Sequence, residues 1–208
     1  MNLLDNFINE CDIALKTLSF KKSGTGRSYP ANETSSSLSK KEKSLSAQLM
    51  RVNLAGEVAA QALYRGQAMV CKDAEIKKHL VQAGEEETDH LIWCKKRLEE
   101  LNGKPSILNP VWYAGSFAIG AIFGSFGEKT SLGFVEETEK QVVKHLEKHL
   151  DKVSKNDTET IEILETMRAD EDEHAQEALE NGSESLSEPT KKLMSFTAKV
   201  MTSSSAYI

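Results

Sequence analysis

The sequence predicts an all-α protein: a four-helix bundle with a long apolar crossover between its second and third helices and extra amphipathic helices at both termini. Three observations predict it. Apolar residues recur every three or four positions in four long stretches. The spacing Glu-x-x-His occurs twice, in "EEETDH" at residues 85–90 and in "EDEH" at 171–174. Between the two copies, residues 106–127 carry no charge at all.

Composition agrees. At 208 residues the chain suits one domain with a sizeable core, or a domain with a loose extension. Leu, Ala, Glu and Lys abound while Pro and Gly are sparse, which favours helix. A formal net charge of −6 argues against a nucleic-acid partner, which usually needs a basic field. Cys11, Cys71 and Cys94 are odd in number and widely spaced, so they suggest neither a disulfide framework nor a thiolate zinc site, but a reducing cytoplasm. No basic stretch followed by an apolar run marks a secretory signal at the N-terminus.

Residues 1–20 read as an amphipathic helix, with Leu4, Phe7, Ile8, Cys11, Leu15 and Leu18 near helical spacing. Residues 21–45, rich in Ser, Lys and Gly, read as a flexible linker. The bundle follows over 46–182. Its first inward stripe is Ala47, Met50, Leu54, Glu57, Gln61, Tyr64, Ala68, and its second is Leu80, Ala83, Glu87, His90, Cys94, Leu98, Leu101. The third is Leu132, Glu136, Glu139, Val143, Leu146, Leu150, Val153, and the fourth is Leu164, Met167, Glu171, His174, Ala178. A C-terminal amphipathic segment, 183–208, completes the chain.

Glu57, Glu87, His90, Glu136, Glu139, Glu171 and His174 lie on these apolar stripes rather than on the charged faces. A lone ionised carboxylate in a bundle core costs several kcal/mol. So many in one layer make sense if they share a strong positive charge. On a helix, residues three apart project from one face, so each Glu-x-x-His turn offers a carboxylate and an imidazole to one metal. For a single copy, chance on a charge-rich helix would suffice; two copies at matched spacing make chance the lesser reading. Glu57 precedes Glu87 by 30 positions, and Glu136 or Glu139 precedes Glu171 by 35 or 32. Two hairpins, each offering Glu and then Glu-x-x-His, would build a two-metal site of the ferritin-like kind. Four carboxylates balance two Fe(II) ions, and the mixed donor set suits iron. Glu87 and Glu171 are the expected bridges. Helical periodicity alone does not choose between Glu136 and Glu139; hairpin symmetry leans weakly to Glu139, since 32 is closer to 30, and a slightly longer second hairpin would absorb the difference.

Asp89 and Glu173, each preceding a histidine, either accept a hydrogen bond from an imidazole on a facing helix or are solvated acids. His145 and His149 read as partly exposed and outside the ligand set, with a substrate-facing or outer-shell role open for His145. His79 reads as surface and Cys94 as core. The uncharged stretch is long enough to imitate a membrane span. A true span would separate the hairpins across the bilayer, so the segment must return on the same side. Its aromatic residues, Trp112, Tyr113, Phe117, Phe123 and Phe126, suit an interfacial surface, and the basic amphipathic "KKLMSFTAKVM" suits the same place. Packing on the bundle is the plainer alternative.

Five stretches together resemble the demethoxyubiquinone hydroxylases, the di-iron monooxygenases of ubiquinone biosynthesis. They are "RVNLAGEVAAQALYRGQ", "EETDHL", "KPSILNPVWYAGSFAIGA", "SLGFVEETEKQVVKHLEKHL" and "MRADEDEHA", from Arg51 to about Ala178. The resemblance selects Glu136, the first Glu of "VEE", as the third-helix ligand, with Glu139 as its rival. The implied metal set is Glu57, Glu87, His90, Glu136, Glu171 and His174, holding two iron ions per chain. The implied activity is hydroxylation of the ring of a 2-polyprenyl-3-methyl-6-methoxy-1,4-benzoquinol with O2. A prenylated substrate implies a peripheral place on the cytoplasmic side of the cell's inner membrane, where quinone-biosynthesis partner proteins or self-association are both compatible. No Gly-rich dinucleotide motif follows a strand, so electrons would come from a separate donor, a directly bound reductant or the quinol itself. Two alternatives stand beside this reading: a ferritin-like iron-storage or peroxide-scavenging protein, and a non-catalytic assembly protein of the quinone-biosynthesis complex.

Overall fold

The computed structural model describes residues 3–31 and 37–208, with side chains of residues 3, 4, 6 and 7 outside the description. The expected contributions of Leu4 and Phe7 therefore lie outside the described residues, as do positions 1–2 and 32–36. Among the described residues all regular structure is helical: α1 (Leu3–Leu18), α2 (Lys40–Val70), α3 (Ala74–Glu100), α4 (Asn109–Ser125), α5 (Glu128–Leu150), α6 (Thr158–Glu180) and α7 (Glu188–Ser205). Helices α2 and α3 form one tight hairpin and α5 and α6 the other, and the two hairpins close the bundle.

Local signals start the bundle helices. Ser39 accepts from the Glu42 amide, and the Glu42 carboxylate accepts from the Ser39 amide, a reciprocal capping box. Asp73 Oδ1 accepts from the Glu75 and Ile76 amides at 2.9 and 3.0 Å and starts α3. Asp157 caps α6 through the Thr160 amide at 3.1 Å. The stripes read from the sequence on α2, α3 and α6 are buried at every position. Along α5 and just past it the seam runs through Leu132, Val135, Glu139, Leu146, His149 and Val153, with Val142 and Leu150 packed beside it; Ser131, Gly133 and Phe134 are buried as well. The expected stripe is thus displaced at some positions, and Glu136 and Val143 leave the seam. His149 is buried, and burial pushes its ring down to about 3, reinforced by His145 and Lys152. Its ring lies 4.0 Å from that of His145, which is half-buried; of the two histidines expected to be partly exposed, His149 is the one that departs.

The crossover helix α4 lies along α2. A Cβ at Gly120 would stand 2.2 Å from the Leu63 carbonyl oxygen, and one at Gly66 would stand 2.2 Å from that of Phe117. Only glycine lets the two backbones approach so closely. Tyr113, Gly120 and Gly124 are buried, whereas Ile107, Val111, Ile122 and Phe126 on the other side are exposed.

The linker expectation needs correction. Helix α2 begins at Lys40, and residues 22–31 lie against the bundle. Thr17 Oγ1 of α1 donates to Gln61 Oε1 at 3.0 Å, and Arg65 grips Glu10, so α1 also docks on α2. Ile8 and Leu15, expected on the apolar side of α1, are exposed.

The most buried ion cluster away from the core layer joins α3 to α6. Arg97 donates to Asp157 Oδ1 at 2.7 Å, Thr160 Oγ1 at 2.9 Å and Glu100 Oε2 at 3.0 Å, and it also reaches Glu159. Asp157 is fully buried, so Arg97→Ala would leave its charge without a cation. Loss of one partner of such a buried pair costs on the order of 3 kcal/mol. Thermal denaturation should show Arg97→Ala melting well below wild type, with Lys78→Ala, an exposed position earlier on α3, nearly unchanged.

Candidate metal centre

The two Glu-x-x-His turns meet in the middle of the bundle. His90 Nδ1 lies 3.2 Å from Glu87 Oε2 and 3.2 Å from Glu171 Oε1. His174 Nδ1 lies 3.3 Å from Glu87 Oε1 and 3.4 Å from Glu171 Oε2. Each of these two carboxylates therefore turns one oxygen toward each imidazole. Glu57 completes the His90 side, with Oε2 3.7 Å from His90 Nδ1. Ligand atoms of Glu57, Glu87, His90 and Glu171 all lie within 4.8 Å of one another.

The third-helix position differs from expectation. Glu139 is buried, and its Oε1 accepts from the Tyr64 hydroxyl at 2.7 Å. Glu136 points away: it pairs with Lys140 and accepts from the Ser183 hydroxyl. The structure thus brings Glu139 to the cluster and leaves Glu136 outside it, against the choice made from the "VEE" resemblance. The reason is the α5 seam. Val135 takes the inward position next to Glu139, and one residue further around the helix Glu136 meets the α6–α7 connection. The signal was present in the sequence, since 132, 135, 139, 142 and 146 form an unbroken alternation of three and four steps carrying Leu, Val, Glu, Val and Leu.

Outside the cluster each imidazole is held by a carboxylate from the opposite hairpin. His90 Nε2 faces Asp170 Oδ2 at 2.8 Å, and His174 Nε2 faces Glu86 Oε2 at 2.9 Å. Of the two readings open for Asp89 and Glu173, neither acid partners an imidazole, and Glu173 is the solvated one. Asp89 is buried but accepts from the Thr25 amide at 3.0 Å and from its hydroxyl, and Glu173 is exposed. Asp170 and Glu86 each immediately precede a cluster glutamate, so the repeat "acid-Glu-x-acid-His" contained them. His79 is half-buried near Glu177 and Cys94 is in the core, as expected of a cysteine on that stripe.

Electrostatics fits a cation. Burial pushes the Glu57 and Glu139 carboxyls well above the ordinary range, Glu87 and Glu171 add to the push, and nearby His90 and His174 oppose it. Burial also acts on Glu87, but the neighbouring His174 and His90 imidazoles overcome it and hold that group low. Burial works against protonation of both rings, and their carboxylate partners outweigh it, holding both high. Glu57 Oε2 and Glu87 Oε1 are buried and accept no hydrogen bond. Unpartnered carboxylate oxygens cost about 1–3 kcal/mol or more each in a core. Oxygen and imidazole donors converging on one point are what a hard or borderline divalent metal takes.

Helical fold and converging carboxylates and imidazoles together define a metal-binding bundle of the ferritin-like class. Comparison with known proteins narrows this. Residues 44–205 match the model of the family described as ubiquinone biosynthesis protein COQ7, and the chain belongs to that family. It is 49% identical to the 3-demethoxyubiquinol 3-hydroxylase of Legionella pneumophila (strain Lens), over 100% of this chain and 98% of that protein. It is likewise 49% identical to the enzyme of that name from Nitrosococcus oceani, over the same shares. Identity to that of Francisella philomiragia is 48%, over 97% of this chain and 96% of the relative.

The seam on α5 makes a direct prediction. Glu139→Ala should lower the metal content reached on Fe(II) loading, whereas Glu136→Ala should retain nearly all of it. Metal analysis after anaerobic Fe(II) loading checks this, and the reverse order would refute the assignment.

Proposed function

We propose that the chain hydroxylates the ring of a demethoxyubiquinol, using O2, at a centre of two iron ions. The observation that carries the reading is the double contact of Glu87 and Glu171, one oxygen toward each imidazole, in a chain of this family. Glu87 and Glu171 would bridge the metals. Glu57 with His90 would hold one, and Glu139 with His174 the other. Four carboxylates balance the four charges of two Fe(II) ions, and neutral imidazoles add none.

The bound metal pair would supply the activation of O2. The ring C–H becomes C–OH with one oxygen atom of O2, while two electrons and two protons reduce the other to water. The protein's part is placement. Tyr64 holds Glu139 with its hydroxyl and fixes that carboxylate's orientation. Ala60, Leu63, Phe134 and Val135, with Gln67 and Thr138, close over Tyr64 and Glu139 and leave no room there for even a water molecule. A substrate ring would reach the centre from this side only after these side chains part. The storage alternative has less support, because the whole-length relatives reported above carry hydroxylase names.

A strain lacking the protein should accumulate the demethoxy quinone and lose ubiquinone. Wild type should restore the product, His90→Ala and His174→Ala should not, and His79→Ala should. Quinone profiling by chromatography reads all four. Restoration by His174→Ala would sink the two-metal reading.

The substrate's prenyl tail bears on location. No helix among the described residues is long and apolar enough to cross a membrane. The exposed row Ile107, Val111, Ile122 and Phe126, together with Leu193, Phe196 and Val200 of α7, supports peripheral binding on the inner membrane's cytoplasmic side. Val111→Asp with Ile122→Asp should lower co-flotation with anionic vesicles at least fivefold while leaving iron content unchanged. Phe117 is a poorer test than expected, because it packs against the core.

A further inference from the structure

Residues 24–27, between α1 and α2, bridge α3 and α6 beside His90. Thr25 holds Asp89, on one side of the histidine, through its amide and hydroxyl. A Cβ at Gly24 would stand 1.9 Å from Asp89 Oδ1, so a side chain there would lift the segment. Two residues on, Arg27 takes Asp170 with both arms, at 2.7 Å to Oδ2 and 3.1 Å to Oδ1. That same Oδ2 is the atom facing His90 Nε2 at 2.8 Å. The guanidinium also lies 4.9 Å from the ring centre of Trp93, whose ring in turn packs 5.3 Å from that of His90. Arg27 thus fixes both groups that orient one imidazole.

The other half of the centre lacks this device. Glu86, which plays the part of Asp170 toward His174, takes Gln82 at 3.1 Å as its further partner, and its side chain is 30% exposed. The two hairpins repeat one another around the core, but the strap holds the outer carboxylate behind only one of the two imidazoles.

We propose that Arg27 is a positioning residue for His90, acting through Asp170 and Trp93, and that the strap residues 24–27 make the two metal positions unequal. The inference rests on the metal reading above. A carboxylate behind a ligating imidazole fixes the ring and raises its basicity, and loss of such outer partners costs about 10–100-fold in metal affinity. A bidentate guanidinium fork sets the carboxylate's plane in a way that an ammonium does not.

The test adds Co(II) alone to the metal-free full-length chain and follows its visible absorption bands. Wild type should take up two ions in distinguishable steps. Arg27→Ala should weaken one step about tenfold and shift its bands, leaving the other step within about twofold. Arg27→Lys should recover less than half of the loss. Asp170→Asn should weaken the same step, and the double variant should lose little more than either single one, since both act through one contact. Glu86→Gln should weaken the other step. The strap is exposed, and a melting curve of each metal-free variant checks that the bundle is intact. Equal weakening of both steps, no weakening of either, or additive losses in the double variant would overturn the proposal. A wild-type chain that took up no Co(II) would overturn the metal reading and this inference with it, whereas failure in the variants alone would overturn only this inference.

Discussion

Placing several carboxylates in the core of a helical bundle is the constraint on which the rest of this structure depends. Glu57, Glu87, Glu139 and Glu171 are all buried. Their mutual repulsion and lost hydration would unfold an apolar core whose net stability is only about 5–15 kcal/mol. The fold meets this in layers. Two imidazoles stand among the carboxylates, Tyr64 donates to Glu139, and beyond them Asp170, Glu86 and Arg27 extend the alternation of charge to the surface. A pair of divalent cations at the centre would complete it.

The same constraint explains the stiffness of the scaffold. A cluster whose donor atoms all meet within a few ångströms tolerates little helix sliding. Both hairpins are therefore pinned at their ends. Asp73 starts α3 three residues after α2 ends, and the buried Arg97–Asp157 contact locks α3 to the start of α6. These pins lie away from the cluster, so they set the helix registers without competing for its ligands.

Much of this was legible in the sequence, and the failures have physical causes. Three stripes were read correctly because their apolar and ligand residues agree on one face. On α5 two glutamates lie one turn apart, and both fit a loose helical period. The local motif "VEE" favoured Glu136, but packing chose the face on which Val135, Val142 and Leu146 are apolar, and Glu139 shares that face. The outer carboxylates, Asp170 and Glu86, went unrecognised for a different reason. Whether the acid before His or the acid before Glu reaches across depends on the rotation of one hairpin against the other, which no single helix encodes. The strap was read as a free linker because its composition is polar. Its order comes from polar contacts, Thr25 to Asp89 and Arg27 to Asp170, which hydrophobic periodicity cannot reveal.

The crossover closes the argument about placement. Its glycines bring α4 onto α2 at Leu63, and Phe123 stacks 4.2 Å from Phe134 of α5. Leu63 and Phe134 also pack over Tyr64 and Glu139, where no room is left for even a water molecule. The helix with the exposed apolar row is therefore in contact with the residues that close the α2–α5 groove over Glu139. An apolar molecule arriving along α4 would meet no charged side chain of that helix before Glu139, because α4 has none. A polar substrate would gain nothing from such a path, whereas a ring on a hydrocarbon tail loses little hydration along it. Chain order thus has a chemical consequence: the uncharged segment between the hairpins borders the groove between their first helices, where Tyr64 and Glu139 face one another.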